Sequence, residues 1–383
     1  MPFAPQQESC DLLPASNTWL EVDLAALRQN FRNVRERIGK RTRLCAVVKA
    51  DAYGAGIGVV VPVLVAAGVD TIGIVDTDEA AAVRMAGFEG TLIRLRCAAP
   101  DEITAALPFA VEEMVATVEA AQHVAALSVQ SGRTIPVHLS LNCGGMGRDG
   151  LELGTPEGEA TANALVATEG LQIVGIATHF PSAERPDMVC CLDRLLADTR
   201  WLFGHTRLRR EAVTLHAANS LTTLEYPPAH LDMVRIGAGL YGCVGPKPPF
   251  RHVLTLKSRV AAIQSFPAGT TVGYDRTFCL KRPSRLASVP VGYSDGYRRS
   301  LSNRAAVVVG GERAPVVGKV SMNTLTVDVT DIAGVAVGSE VVLFGAQGDA
   351  RVTQDEVETF ADVVLADLFS VWGALNPRII SGS

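Results

Sequence analysis

Lys49 closes the apolar run "LCAVVK" and is followed at once by "ADAYGAG", which carries Tyr53 and two glycines. Four later apolar runs also end on polar chemistry. "NCGGMGR" brings Asn142 and Arg148, "ATHF" brings His179, "HAANS" ends in Asn219 and Ser220, and "DMVRIGAGLYG" holds Arg235 and Gly237. Singly, each has a structural reading: a solvated lysine, a core histidine, turn glycines, or Ser220 capping a helix over "LTTLEY". Together they suggest pyridoxal phosphate, whose aldehyde needs a lysine amine. Its phosphate would be held by Ser220 and the backbone near Gly237. Arg235, set against the pyridine nitrogen, can only donate. It would leave the ring a weaker electron sink, suited to removing and returning one α-proton rather than to amino transfer.

Such residues need a scaffold that gathers strand ends. Eight strand-like runs are legible: 43–49, 70–76, 91–96, 112–117, 134–142, 171–180, 212–219 and 232–241. They are apolar and rich in β-branched residues, as strands buried on both faces must be. Helical patterns such as "TDEAAAVRMAGF" and "VEAAQHVAALSVQSG" fill most gaps. Eight alternations predict a (β/α)8 TIM-type barrel, which presents its chemistry at the strand C-termini. "TWLEVD" and the helix "LAALRQNFRNVRERIG" lead into it. From about residue 250, short strands separated by Gly, Pro and Asp turns predict a mainly β C-terminal domain. The expected division is a polar segment over 1–17, the barrel over 18–249 and the β domain over 250–383, with the linker in "GPKPPFRH" (245–252).

The 383 residues are 48% hydrophobic and 20% charged, with a net charge of −5, so no basic surface for nucleic acid is expected. No apolar stretch is long enough to span a bilayer. The eight cysteines form no C-x-x-C pair, and neither zinc nor a disulfide scaffold is expected. The Pro-rich first 17 residues have no signal-peptide pattern.

The chain resembles the alanine racemase family. The resemblance rests on "AVVKADAYGAG", "ATHF", "HAANS", "DMVRIGAGLYG", "VGYDRTF", "VGYSDGYRR" and "VGKVSMNT" in that order, over residues 18 to 379. It implies that Lys49 bonds the cofactor and is one of two catalytic bases. The other would be Tyr293, delivered across a head-to-tail homodimer. It further implies that Tyr53, Ser220 and the backbone near Gly237 lie at the phosphate, that Asn219 also binds the cofactor, that Arg235 meets the ring nitrogen with His179 supporting it, and that Arg148 lies near the cofactor phenolate. Arg148, Met322 and Asn323 would meet the substrate. Two bases on opposite faces of a planar carbanion are what racemisation requires. Free lysine, with a pKa of about 10.4, must be lowered to act near neutrality. Without the resemblance, Tyr293 reads as a core tyrosine of the β domain.

Two departures from the family pattern bear on specificity. Leu141 stands seven residues before Arg148, where a carbamylated lysine is usual, so a chloride, another anion or Asp149 turned inward must neutralise Arg148. Asn323 follows Met322 where an aspartate is usual. Both resemble the broad-specificity amino-acid racemase branch, which implies substrates including Lys, Arg, Ala and Ser, and export to the periplasm. The competing expectations are a dedicated alanine racemase supplying D-alanine, in the cytoplasm, a decarboxylase on the same barrel, and a non-catalytic cofactor carrier.

Overall fold

A computed structural model describes residues 16–245 and 249–382. The N-terminal polar segment, apart from its last two residues, and the middle of the expected linker lie outside the described residues. The chain forms two compact units. One comprises Phe31–Ala52 and Ile57–Leu240; the other holds the chain up to Asn30, Tyr53–Gly56 and Tyr241–Ser383.

The first unit is a closed parallel barrel. After β1 (Thr18–Asp23), its eight strands are β2 (Arg43–Val47), β3 (Thr71–Ile74), β4 (Thr91–Cys97), β5 (Val111–Val115), β6 (Pro136–Ser140), β7 (Gln172–Ala177), β8 (Thr214–His216) and β9 (Met233–Ile236). Each pairs with the next, and β9 closes on β2 through Arg43↔Met233 to Ala46↔Ile236. All eight strand-like runs are therefore strands. Buried β-branched side chains hold them from both sides: Val47, Ile72, Ile93, Val115, Val137 and Ile176 are 5% exposed or less. Several of the intervening helices start on side-chain caps. Asp76 accepts from Glu79 N at 2.8 Å, and Thr117 and Thr155 serve the helices Val118–Ser131 and Pro156–Ala167 in the same way.

The second unit is mainly β, with a sheet in which Leu254–Arg259 and Glu340–Gln347 are central strands. "TWLEVD" belongs here rather than at the start of the barrel. As β1 it runs antiparallel to Leu254–Arg259 and parallel to Arg378–Ser381. The separation at residues 18 and 250 thus differs from the observed division by about the first thirty residues and the segment around Gly54. Partners more than 200 residues away leave no local trace in an apolar hexapeptide. Tyr53–Gly56 joins this unit by close backbone contact. A Cβ at Gly54 would lie 2.1 Å from Phe369 O, and one at Gly373 would lie 2.2 Å from Gly54 Cα.

Candidate active site

Lys49 stands just past the end of β2, and the backbone after it is unusual. Ala50, Asp51, Ala52 and Tyr53 all have φ between 51° and 56°, one turn of left-handed helix built without glycine. Each such residue costs roughly 1–2 kcal/mol, so the surroundings must over-determine the turn. They do. Glu79, 4% exposed, accepts from Ala50 N at 2.6 Å and from Val75 N at 2.8 Å, while Asp51 Oδ1 accepts from Ile57 N at 2.7 Å. Ala52 N closes the turn on Val48 O at 2.7 Å. Lys49 is solvent-accessible yet partly surrounded by protein. Burial first, and the Arg148 cation second, lower the ammonium pKa below its usual value, with Glu79 opposing.

Arg235, on β9, is 6% exposed. Its Nη1 donates to His216 Nδ1 at 2.8 Å and His216 O at 2.9 Å; its Nη2 donates to Thr178 O at 2.7 Å, Ala217 O at 3.1 Å and His179 Nδ1 at 3.4 Å. Nε–H has no partner among the described residues. Burial lowers the guanidinium pKa to about 10, which still leaves it charged near neutrality. His179, by contrast, is neutral there. Burial, then Arg235, Arg148 and Lys49, hold its pKa down to about 3. The structure thus gathers Lys49, Arg148, His179 and Arg235 at one end of the barrel, with a spare cationic donor inside.

Asn219 and Ser220 divide their work differently from the sequence reading. Asn219 is the helix cap, its Oδ1 accepting from Thr222 N at 3.0 Å. That frees Ser220 Oγ, which accepts from Gly237 N at 3.2 Å and Gly239 N at 3.0 Å. A hydroxyl and two backbone N–H groups thus converge at a helix start, groups of the kind that hold phosphate oxygens. With the amine and the donor at Arg235, these residues fit pyridoxal phosphate.

Arg148 is exposed, and its counter-charge comes from the chain. Asp149 Oδ1 lies 3.2 Å from Arg148 Nε, and Asp149 Oδ2 accepts from Cys97 N at 3.2 Å. Asp149, one of the expected alternatives, is thus placed to neutralise Arg148. Leu141 is 2% exposed, and its carbonyl accepts from Thr178 Oγ1 at 2.7 Å. Side chains alternate along a strand, so Leu141 lies on the opposite face from His138, whose ring meets His216 inside the barrel. The inward position beside it is Ser140. Counting back from Arg148 found the strand but not its face.

Tyr53 packs in the second unit, its ring stacked on Tyr241 at 4.6 Å. Tyr293, Met322 and Asn323 also belong to that unit and lie together at its surface. Tyr293 N donates to Ser321 O at 3.1 Å, Ser294 Oγ to Met322 O at 2.8 Å, and Asn323 Nδ2 to Ser294 Oγ at 2.8 Å. Tyr293 is 42% exposed and Met322 54%, so the core-tyrosine reading fails. The core tyrosine is Tyr297, at 1%. Sequence reasoning missed Glu79, His138 and His216. His216 lay in view within "HAANS", and His138 in "IPVHLS" is a lone polar residue flanked by apolar ones in a strand. Among the described residues no group of three or more His, Cys, Asp or Glu is placed to hold a metal, and no helix is long and apolar enough to cross a membrane.

Residues 22–244 match the alanine racemase N-terminal domain and residues 253–380 the alanine racemase C-terminal domain. The chain belongs to the alanine racemase family. It is 46% identical to a broad specificity amino-acid racemase of Aeromonas hydrophila, over 99% of this chain and 94% of that one. It is 39% identical to a lysine racemase of Proteus mirabilis, over 98% and 93%. Among solved structures it resembles alanine racemase from Bacillus anthracis with bound L-Ala-P, with a TM-score of 0.87 and 27% identity over 97% of each chain.

Proposed function

We propose that this protein is a pyridoxal-phosphate-dependent amino-acid racemase of broad specificity, acting as a head-to-tail homodimer. The observation that carries the reading is Arg235, a buried guanidinium held as a donor at the same barrel end as a lysine of lowered pKa. Bound there, pyridoxal phosphate supplies a sink for the electron pair left on the substrate α-carbon. An arginine that only donates keeps that sink weak, which favours return of the proton to the same carbon. Lys49 holds the cofactor, and its lowered pKa lets it take or return the α-proton on one face. Tyr293 of the partner subunit serves the other face; its exposure in a single chain supports that role. Ser220, with the N–H groups of Gly237 and Gly239, holds the phosphate, with Asn219 ordering the turn and Tyr53 contributing. His179, uncharged, supports Arg235, and Arg148 sits near the phenolate and the substrate.

Breadth of substrate rests on Asn323 and Met322, a neutral and exposed pair, and on the small inward-facing Ser140, where the family pattern has a charged lysine. The 46% identity to a broad specificity racemase and the similarity to a lysine racemase support it. Export to the periplasm belongs to the same reading and is checked by fractionation. The deciding experiment incubates the protein with L-alanine, L-lysine, L-arginine and L-serine separately and measures D-isomers by chiral chromatography. D-lysine or D-arginine is expected beside D-alanine. Turnover confined to alanine would make this a dedicated alanine racemase instead. Lys49→Ala should lose both the bound-cofactor absorbance and all activity.

A further inference from the structure

The interior of the barrel carries a row of polar side chains that leads from Arg235 away from the strand C-termini. His216 Nε2 lies 2.9 Å from His138 Nδ1, and His138 Nε2 lies 2.8 Å from Glu112 Oε2. With the 2.8 Å bond from Arg235 to His216, four residues on four strands form one unbroken chain. His216 is fully buried and His138 is 2% exposed. Glu112 is the second residue of β5, toward the barrel end opposite the strand C-termini. His138 occupies its place only because residue 175 is glycine, since a Cβ there would lie 1.9 Å from His138 Nδ1.

The direction of every proton in this chain follows from one end. Arg235 cannot accept, so His216 Nδ1 must. Burial, then Arg235 and His138, keep His216 neutral, its pKa well below the usual value. A neutral ring accepting at Nδ1 carries its proton on Nε2 and donates it to His138 Nδ1. His138 then also carries its proton on Nε2 and donates it to the Glu112 carboxylate. The opposite direction would set an N–H of His216 against an N–H of Arg235. A cation at one end and an anion at the other polarise both imidazoles the same way, and such bonds strengthen one another.

We propose that Glu112, acting through His138 and His216, is a positioning residue that holds Arg235 in its donor orientation and so keeps the enzyme on racemisation. Taken alone, a carboxylate at the N-terminal side of a barrel reads as stability. Here it is wired by three hydrogen bonds to the group that sets the character of the site. The role in the reaction rests on the cofactor reading above; the chain of bonds does not.

The test uses the holoenzyme labelled with 15N-histidine, with ring nitrogens read by long-range proton–nitrogen correlation, together with loss of the cofactor's aldehyde absorbance per racemisation turnover. In the wild type both rings are expected neutral with the proton on Nε2; a His216 protonated on Nδ1 overturns the proposal, whatever the variants do. In Glu112→Leu the His216 resonances should move toward those of an unbonded imidazole. Cofactor loss per turnover should rise roughly tenfold, the scale of one charge-assisted hydrogen bond. Glu112→Gln, whose amide oxygen still accepts, should restore both readings toward the wild type. Unmoved His216 resonances, or an unmoved loss per turnover, in folded Glu112→Leu overturns the proposal. The resonances are readable in protein that racemises nothing, so a failure of the relay is distinct from a failure of the cofactor assignment.

Discussion

At Lys49, one carboxylate does two jobs. Glu79 fastens the left-handed turn through Ala50 N and Val75 N, and its charge opposes the lowering of the Lys49 pKa. Glu79→Gln keeps one acceptor oxygen and sets an NH2 against a backbone N–H. It should therefore destabilise the protein by about 1–3 kcal/mol, the cost of an unsatisfied buried group, in urea melts. The same variant removes a negative neighbour from the amine, so the Lys49 pKa falls further. Cofactor uptake by apoprotein, which needs the free amine, should then rise at lower pH than in the wild type. An unmoved midpoint would confine Glu79 to the backbone. His179 gives a second dependence on pH. Its folded pKa of about 3 lies below the unfolded 6.5. Below pH 6.5 the unfolded chain gains a proton that the folded chain refuses, so this contribution to stability is full above 6.5 and is lost as pH falls. Urea midpoints should drop over that range, less steeply in His179→Asn.

The elements were the most legible part of the sequence, because continuous β-branched runs alternating with helical spacing admit few folds. The strand ends were legible too, and Lys49, His179, Ser220 and Arg235 stand where such runs said they would. What stayed hidden is set by partners distant in sequence or by backbone shape. β1 gives no local sign that it pairs with Leu254–Arg259, and nothing in "KADAY" signals a left-handed turn without glycine. His138 was hidden because a strand's facing is fixed only by its neighbours, which also misplaced the interest in Leu141. One element-level contact was half visible, as the glycine of "AYGAG" next to Tyr53. Gly54 has φ +83°, and its Cα lies against Phe369 O and Gly373 of the helix Leu365–Leu375. Gly54→Ala adds a methyl with nowhere to go against backbone, and adds left-handed strain as well. A loss of at least ~2 kcal/mol is expected, with the thermal midpoint falling accordingly. A stability equal to the wild type would mean that the Tyr53–Gly56 segment does not pack so closely on that helix.

At the scale of the molecule, the two proposed bases lie in different units, and exposed Tyr293 and Met322 have no role in a core. Symmetric dimers let one chain complete the site of another, and a mixture of variants can distinguish that from a site completed within one chain. Lys49→Ala and Tyr293→Phe should each lose most racemase activity as homodimers. Tyr293→Phe should retain the bound-cofactor absorbance, because Lys49 and Ser220 are untouched. When the two are co-expressed, the mixed dimer pairs an intact Lys49 from one chain with an intact tyrosine from the other at one of its two sites. Random assortment makes about half of all dimers mixed, so activity should recover to roughly a quarter of the wild type. If both bases came from the same chain, every site in the mixture would lack one of them and nothing would be recovered. Recovery would therefore assign Tyr293 to the partner subunit and make the dimer the catalytic unit. Its absence would return the second base to the chain that carries Lys49.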